Sequence, residues 1–312
     1  MANLVQKKRT LQQSFKKNFQ DILFCFIILL YPTVQFIIFY LGVNVNTILL
    51  SFEKYDGTKY IFAGFENFSV AFYNLFEVKE WGMAIGNSLV YLGVATVVGM
   101  TLSLLFSYYI YLKKPMAGFF KVMLFMPAVV SSIVLTTIYR SIVGDVYSEI
   151  VFKLTGEVVP GLMKGSHEAQ KFVTFFYNVT FGFGTTVLLY SGAMSGTNES
   201  VMEYTDIDGA NYTQKFFYVL LPMIFPTFIT FMVMRFADTF MNQMNLLGIC
   251  GDSAPYQVET IGYKLYTKTL KVNGNPAELP LLATYGLIFT MITIPVVFTV
   301  KHLLEKFGPN ER

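Results

Sequence analysis

Long apolar stretches dominate the sequence and alternate with polar connections. A helix needs about 20 consecutive apolar residues to cross the roughly 30 Å hydrocarbon core of a bilayer, because a lipid-facing backbone amide finds no water there. Six stretches reach that length, which predicts an all-α polytopic membrane protein with six transmembrane helices. They are Ile22 to Leu41, Ile85 to Leu112, Gly118 to Tyr139, Phe172 to Met194, Tyr218 to Phe240 and Leu281 to Leu303.

The polar connections define the predicted domain organisation. Residues 1–21 form an N-terminal segment, residues 22–304 a six-span membrane domain and residues 305–312 a C-terminal tail. The first stretch is too long for a signal core and no small-x-small cleavage pattern follows it, so we interpret it as a retained span. The loop over residues 42–84 alternates aromatic with polar side chains and is expected to contain short helices on the membrane surface.

Two features of the spans themselves lead to further expectations. The third stretch is rich in Ser and Thr, which favours a helix that borders water. Prolines at positions 32, 127, 226 and 295 fall inside apolar stretches. We expect them to kink these helices rather than end them, because neighbouring helices in a bundle satisfy the carbonyl that proline leaves free.

The composition agrees with a membrane protein. Of 312 residues, 54% are hydrophobic and only 14% are charged, whereas soluble domains carry about 25%. The net charge of +3 comes from scattered bases, which excludes nucleic acid as a partner. Cys25 and Cys250 lie far apart and are predicted to be small buried hydrophobes. Neither His167 nor His302 has a second ligand at metal-binding spacing, so no metal site is predicted.

Lysine and arginine in the connections set the predicted orientation, because these residues are retained on the cytoplasmic side. Five bases precede the first span, three lie in "KKPMAGFFK" after the second, and more follow the sixth. With six spans these segments share one side, so both termini are expected in the cytoplasm of a bacterial plasma membrane. The loops at residues 42–84, 140–171 and 241–280 then lie outside. The loop at residues 197–217 lies in the cytoplasm by parity.

That fourth connection, residues 197–217, is named here the acidic loop. Asn198 or Ser200 is a candidate N-cap, and Glu203 follows Ser200 at the spacing of a capping box. Glu199, Glu203 and Asp206 then form one acidic stripe on a helix. Gly209 is predicted to end that helix in a left-handed conformation, and a second amphipathic segment begins at Asn211. Physically, the loop is either a solvated connection or a helix that docks on a cytoplasmic partner.

The residues of this loop resemble a known family. Glu203, then Asp208-Gly209-Ala210, then "VLLP" ending in Leu221 and Pro222, is similar to the pattern E-A-A-x-x-x-G, nine residues, I-x-L-P. This pattern is the "EAA" loop of permease subunits in ATP-binding cassette importers. Tyr204 and Thr205 replace the two alanines, and "FAGFENF", "GNSLVYL" and "CGDSAPYQVETIGYKLY" resemble landmarks of the carbohydrate-uptake branch, with its maltose-type and glycerol-phosphate-type permeases.

The resemblance implies a fold, partners and site residues. The fold is that of a type I importer permease, paired with a second homologous permease. Two ATPase subunits bind ATP and Mg and each receive one EAA helix, while an extracellular solute-binding protein delivers a carbohydrate. The chain contains no G-x-x-x-x-G-K-[ST] phosphate loop, so it is expected to be neither an enzyme nor a cofactor carrier. The residues implied in ATPase coupling are Glu203, Asp206, Asp208, Gly209, Ala210, Leu221 and Pro222.

Polar side chains in spans are costly and tend to face a cavity or a partner. Arg235 and Asp238 lie three residues apart near the end of the fifth span and form either a structural ion pair or part of a solute path. In sugar permeases, which the chain resembles, this region contributes to the pathway, where amides bind hydroxyl groups. The path candidates are Asn242, Gln243, Asn245, Arg235, Asp238, Tyr190 and Asn87, with Ser191 beside Tyr190.

Two alternatives to an oligosaccharide importer stay open at this point. The same architecture can carry a glycerol phosphodiester, a polyamine or a peptide. An ion-coupled carrier is a different class, and uptake that follows the proton gradient instead of ATP distinguishes it.

Overall fold

The computed structural model describes residues 21–272 and 275–309. Four helices there are long and apolar enough to cross a membrane, and two further pairs are bent, by 100° and by 74°. With each bent pair taken as one span, each of the six segments overlaps one of the six predicted stretches. In chain order the first to sixth spans are Asp21–Leu50, Lys79–Tyr111, Ala117–Val129 with Ser132–Thr155, His167–Ser195, Tyr212–Met223 with Phe225–Asp238, and Pro276–Phe307.

The prolines behave differently from one span to the next. Pro295 lies inside the continuous helix Leu279–Phe307, as expected. The expectation is wrong for Pro226, because the helix stops at Ile224 and Pro226 occupies the first turn of Phe225–Asp238. Proline has no N–H to continue the ladder but is well tolerated in a first turn, so it favours a break at this point.

Three helices continue well past their predicted C-terminal ends. The first span ends at Leu50 rather than Leu41, and the sixth ends at Phe307 rather than Leu303. The third continues to Thr155, through half of the loop predicted to begin at residue 140. Gly156 ends it in a left-handed conformation with φ 75°.

The loop over residues 42–84 contains the predicted helix, Glu66–Glu77. It also contains a hairpin that was not predicted: β1 (Glu53–Tyr55) pairs antiparallel with β2 (Tyr60–Phe62). In its turn, the Asp56 carboxylate accepts from the N–H groups of Lys59 and Thr58, both at 2.9 Å. These bonds hold the pKa of Asp56 below its ordinary value.

The remaining helical segments are short. The spans contain four π-helical turns, and three further helices outside them follow the third and fifth spans. The π turns are Phe36–Gly42, Ala95–Gly99, Ile142–Val146 and Lys215–Leu220, and the other helices are Leu162–Lys164, Leu246–Cys250 and Ile261–Lys271, besides the acidic helix given below.

By contact density the chain divides into two compact units. The first contains the described residues up to Phe68 together with Ala277–Thr284, and the second contains Ser69–Pro276 and the residues from Tyr285 onward. The second unit holds a core from the second, fourth and fifth spans, formed by Met100, Tyr190, Met194, Phe216, Leu220 and Ile224.

The two cysteines differ in their surroundings. Cys250 is half-buried, and burial raises the pKa of its thiol to about 11, whereas Cys25 lies on the first span and is not covered by the protein itself. Residues 1–20 of the predicted N-terminal segment, which include its five bases, lie outside the described residues. The C-terminal tail is described as far as residue 309.

Candidate functional site

The acidic loop contains a short helix, Glu199–Ile207, named here the acidic helix. Its N-cap is Asn198, whose extended backbone lets the side chain accept from the N–H of Ser200 at 3.0 Å. The alternative cap, Ser200, is wrong because Ser200 already lies inside the helix. The caps therefore satisfy the helix N-terminus locally.

The surface of the acidic helix is open. None of its residues is buried, and Glu199, Glu203 and Asp206 are all exposed. Tyr204 and Ile207 expose 67% and 80% of their surface, although both are largely apolar. A short helix that displays an acidic stripe beside two large apolar side chains has a surface suited to a protein partner.

The end of the acidic helix forms a rigid reversal. Gly209 has φ 73°, a left-handed conformation that a side chain disfavours. The N–H of Ala210 donates to the carbonyl of Thr205 at 3.0 Å, and that of Asp208 to Tyr204 at 3.0 Å. These bonds satisfy the last carbonyls of the helix. The predicted glycine turn is thus confirmed as a structural feature.

The next segment begins at Asn211, as predicted. The Asn211 side chain accepts from the N–H of Gln214 at 2.9 Å, and the Gln214 side chain accepts from the N–H of Asn211 at 2.9 Å. This is a complete capping box, at Asn211 rather than at Ser200. Leu221 and Pro222 open the following helical turn, Leu221–Met223, where the broken fifth span begins to bend.

One residue of the loop escaped the sequence interpretation. Lys215 is only 6% exposed, and its ammonium group forms an ion pair with Asp206 of the acidic helix. The sequence shows a single base among acids, but nothing in the local pattern indicates that this base is buried.

A second candidate site is a polar cleft of about 400 Å³. Four of the predicted path residues, Asp238, Asn242, Gln243 and Asn245, line it together. This volume lies within the range of small-molecule sites. The other lining residues are Ser132, Ile133, Thr136, Met241, Met244, Leu247 and Gly248.

Hydrogen bonds fold the segment after Asp238 into a tight turn. Asn242 donates its amide to the Asp238 carboxylate at 2.7 Å, and its side-chain oxygen accepts from the N–H of Met244 at 2.8 Å. Met244 and Asn245 both adopt left-handed backbone conformations, with φ 51° and 54°. Such conformations cost free energy in residues other than glycine, so the surroundings must hold them in place.

The support comes from the fourth span and from the helix Ile261–Lys271. Buried Asn178 donates to the carbonyl of Met244 at 2.7 Å and accepts from the side-chain amide of Asn245 at 3.0 Å. The hydroxyl of Thr260 donates to the carbonyl of Asn242 at 2.7 Å. Gly262 lies so close that a Cβ there would approach the carbonyl oxygen of Met241 to 2.3 Å. The sequence analysis did not identify Asn178. An amide inside an apolar stretch is the signal that could have indicated its role.

The ion pair that was one expectation for Arg235 and Asp238 is absent from the described residues. Asn242, one helical turn after Asp238, supplies the donor for this carboxylate instead. The guanidinium of Arg235 turns to the second span, 3.7 Å from the position that a Cβ on Gly99 would take. The two side chains therefore make no direct ion pair, although both line one small cavity, and the choice between a structural and a path role stays a prediction.

Two other path candidates lie apart from the polar cleft. Tyr190 is fully buried in the core, with its ring 4.9 Å from that of Phe231. Asn87 is also buried and donates to the carbonyls of Gln257 and Glu259 at 2.8 and 2.9 Å. Ser191, beside Tyr190, is buried too. Their assignment to the path stays a prediction. No cluster of three metal-ligating side chains occurs over residues 21–272 and 275–309.

The fold is that of a permease subunit of an ATP-binding cassette importer. Residues 95–309 match the family of binding-protein-dependent transport system inner membrane components, and the chain belongs to this family. The family and its relatives confirm the resemblance drawn from the acidic loop, including its carbohydrate-uptake branch.

The relatives are sugar permeases. The chain is 23% identical over 291 residues to the arabinooligosaccharides transport system permease protein AraP of Halalkalibacterium halodurans, covering 90% of this chain and 84% of that protein. It is 22% identical over 284 residues to the multiple sugar-binding transport system permease protein MsmF of Streptococcus mutans, covering 89% and 94%. Both relatives are permease components of sugar transport systems.

A solved structure confirms the fold. A chain from a bacterial ABC transporter involved in the import of the acidic polysaccharide alginate superposes with a TM-score of 0.76 at 17% identity, covering 94% of this chain and 98% of that chain. The predicted type I importer permease fold is therefore correct. A permease of this family operates in the inner membrane with a solute-binding protein and an ATPase.

Proposed function

We propose that the chain forms half of the translocation pathway for an oligosaccharide and that its acidic helix couples this pathway to ATP hydrolysis. A second homologous permease forms the other half. Two ATPase subunits bind ATP and Mg, and an extracellular binding protein delivers the sugar. The acidic loop and both termini face the cytoplasm, and the polar cleft lies towards the outer side.

The observation that carries the coupling proposal is the contrast within the acidic helix. Its two ends are fixed by side-chain caps and by the Gly209 turn, yet its Tyr204 and Ile207 side chains are exposed. A solvated connection gains nothing from large exposed apolar side chains. A helix that inserts into a groove of an ATPase gains from burying both.

The coupling residues carry separate parts of this proposal. Glu203 supplies charge and Asp206 pairs with Lys215, whereas Asp208, Gly209 and Ala210 form the reversal that sets the helix direction. Tyr204 replaces a family alanine and is exposed, so it enlarges the contact surface. Thr205, the other replacement, donates its hydroxyl to the carbonyl of Met202 at 2.7 Å and adds no bulk at the exposed side.

The proposed oligosaccharide rests on the relatives and on the chemistry of the polar cleft. The relatives belong to transport systems for arabinooligosaccharides and for multiple sugars, and the similar solved structure belongs to an importer of a polysaccharide. The cleft presents amides, a carboxylate and hydroxyls, from Asn242, Asn245, Asp238 and Thr136. Such groups bind sugar hydroxyls by donating and accepting hydrogen bonds.

The test uses the complex with its ATPase, second permease and binding protein, reconstituted in liposomes. We expect Glu203→Lys and Ile207→Asp each to abolish ATP-driven uptake of labelled oligosaccharide while the chain stays inserted in the membrane. Glu157→Lys makes the same charge change at an exposed acid outside the acidic loop and is the control. Normal uptake in both loop variants would contradict the coupling role.

The solute is tested in the same liposomes. Unlabelled oligosaccharide is expected to compete with the labelled sugar, whereas a glycerol phosphodiester, a polyamine and a peptide are not. Uptake should stop when ATP is withheld and persist when the proton gradient is dissipated. The opposite pattern would assign the chain to an ion-coupled carrier.

A further inference from the structure

Lys215 is buried at the base of the acidic loop. Only 6% of the residue is exposed, and its partner Asp206 keeps 68% of its side chain exposed. Burial of an ammonium group is unfavourable unless a carboxylate compensates it. The ion pair therefore joins a buried position at the start of the fifth span to the outward side of the acidic helix.

The same turn of the fifth span is also tied to the second span. The carbonyl of Tyr212 accepts from the hydroxyl of Tyr108 at 2.8 Å, and the hydroxyl of Tyr212 accepts from the ammonium of Lys114 at 2.7 Å. The rings of Tyr108 and Phe216 lie 5.0 Å apart. Contacts thus run from the acidic helix through Lys215 and Tyr212 to the end of the second span.

Without the ion pair, the acidic helix is attached to the fifth span mainly by the Gly209 turn. The turn is held by its own backbone hydrogen bonds, and no regular helix continues through Gly209 and Ala210. Met202 packs at the edge of the core from the other side. The ion pair between Asp206 and Lys215 bridges the turn. The angle between the acidic helix and the fifth span is therefore set by this side-chain contact as well as by the backbone of the turn.

We propose that Lys215 is a positioning residue for coupling: its ion pair with Asp206 holds the acidic helix at a fixed angle, so that a movement of the helix displaces the second and fifth spans. The proposal rests on the coupling function proposed above. An apolar residue of similar length packs in the same space and replaces a buried ion pair with little loss of stability. Stability and coupling are therefore separable at this position.

The experiment measures sugar imported per ATP hydrolysed by the reconstituted complex. We expect Lys215→Met to co-purify with the ATPase and to hydrolyse ATP, but to import at least tenfold less sugar per ATP. Lys215→Arg keeps the charge and should restore at least half of the wild-type ratio. Asp206→Asn combined with Lys215→Met should be no worse than Lys215→Met alone, because residues that act as a pair are not additive.

The control is Lys153→Met, which removes a lysine from an exposed ion pair with Glu149 and should leave the ratio unchanged. A wild-type ratio in Lys215→Met would overturn the inference, and so would failure of this variant to assemble with the ATPase, since Lys215 would then serve packing alone. If Ile207→Asp loses uptake while Lys215→Met keeps the wild-type ratio of sugar imported to ATP hydrolysed, only the positioning role is refuted. Normal uptake in both Glu203→Lys and Ile207→Asp refutes the coupling function itself.

Discussion

The acidic loop and the polar cleft are both built from asparagine-rich turns, but their asparagines reach different distances along the chain. In the acidic loop the caps are local, because Asn198 binds Ser200 and Asn211 exchanges bonds with Gln214. In the polar cleft Asn242 also binds locally, but the turn is further held by Asn178 on the fourth span and by Thr260.

This difference supports the proposed roles of the two regions. Local caps leave the surface of the acidic helix exposed, as a docking surface requires. Distant bonds instead tie the cleft turn to the fourth span and to the helix Ile261–Lys271, so a movement of those helices reshapes the cleft. One region is suited to receive a displacement and the other to respond to it.

The largest expected effect comes from the distant support of the cleft. Asn178→Leu removes the two hydrogen bonds to the cleft turn, together with one to Thr174 in its own helix, and leaves the Met244 carbonyl buried without its donor, at a cost of about 1 to 3 kcal/mol per unsatisfied group. We expect a lower Tm in detergent and loss of oligosaccharide uptake. The control is Asn44→Leu, at an exposed asparagine of the first span. Wild-type uptake in Asn178→Leu would show that the cleft turn keeps its conformation without bonds from the fourth span.

The next effect concerns the reversal in the acidic loop. Proline cannot adopt the φ of 73° seen at Gly209, so Gly209→Pro should abolish transport while the protein stays in the membrane. Asparagine tolerates the left-handed region, so Gly209→Asn should retain most activity. Equal activity of the two variants, by uptake assay, would mean that the direction of the acidic helix is unimportant.

The smallest effect is expected at a local cap. Asn211→Ala loses the capping box, at a cost of about 0.5 to 2 kcal/mol. Amide hydrogen exchange should quicken over residues 212–217 while uptake falls by a few-fold at most, because the ion pair and Tyr212 contacts still hold the segment. A loss of uptake as complete as that of Asn178→Leu would remove the distinction between the two regions.

The same contrast explains how far the sequence predicts this molecule. The six spans, the Gly209 reversal and the helix start at Asn211 follow from nearby residues, and all three are confirmed. The burial of Lys215 depends on which segments meet in three dimensions, and no local pattern encodes it.

Two other features lay beyond local reasoning for the same reason. The role of Asn178 depends on a carbonyl 66 residues away. The hairpin Glu53–Phe62 lies in a loop whose aromatic and polar alternation also suits surface helices. The break before Pro226 shows that a bundle does not always absorb a proline inside a span.

Contact between the acidic helix and an ATPase is the central claim, and a cross-link tests it most directly. Ile207→Cys, in a chain whose Cys25 and Cys250 are replaced by serine, places a reactive thiol on the most exposed apolar position of the helix. In native membranes a maleimide–succinimidyl ester cross-linker should join this thiol to a lysine of the ATPase subunit, and an impermeant maleimide added to intact cells should not label it. Labelling from outside with no cross-link to the ATPase would contradict both the orientation and the coupling role.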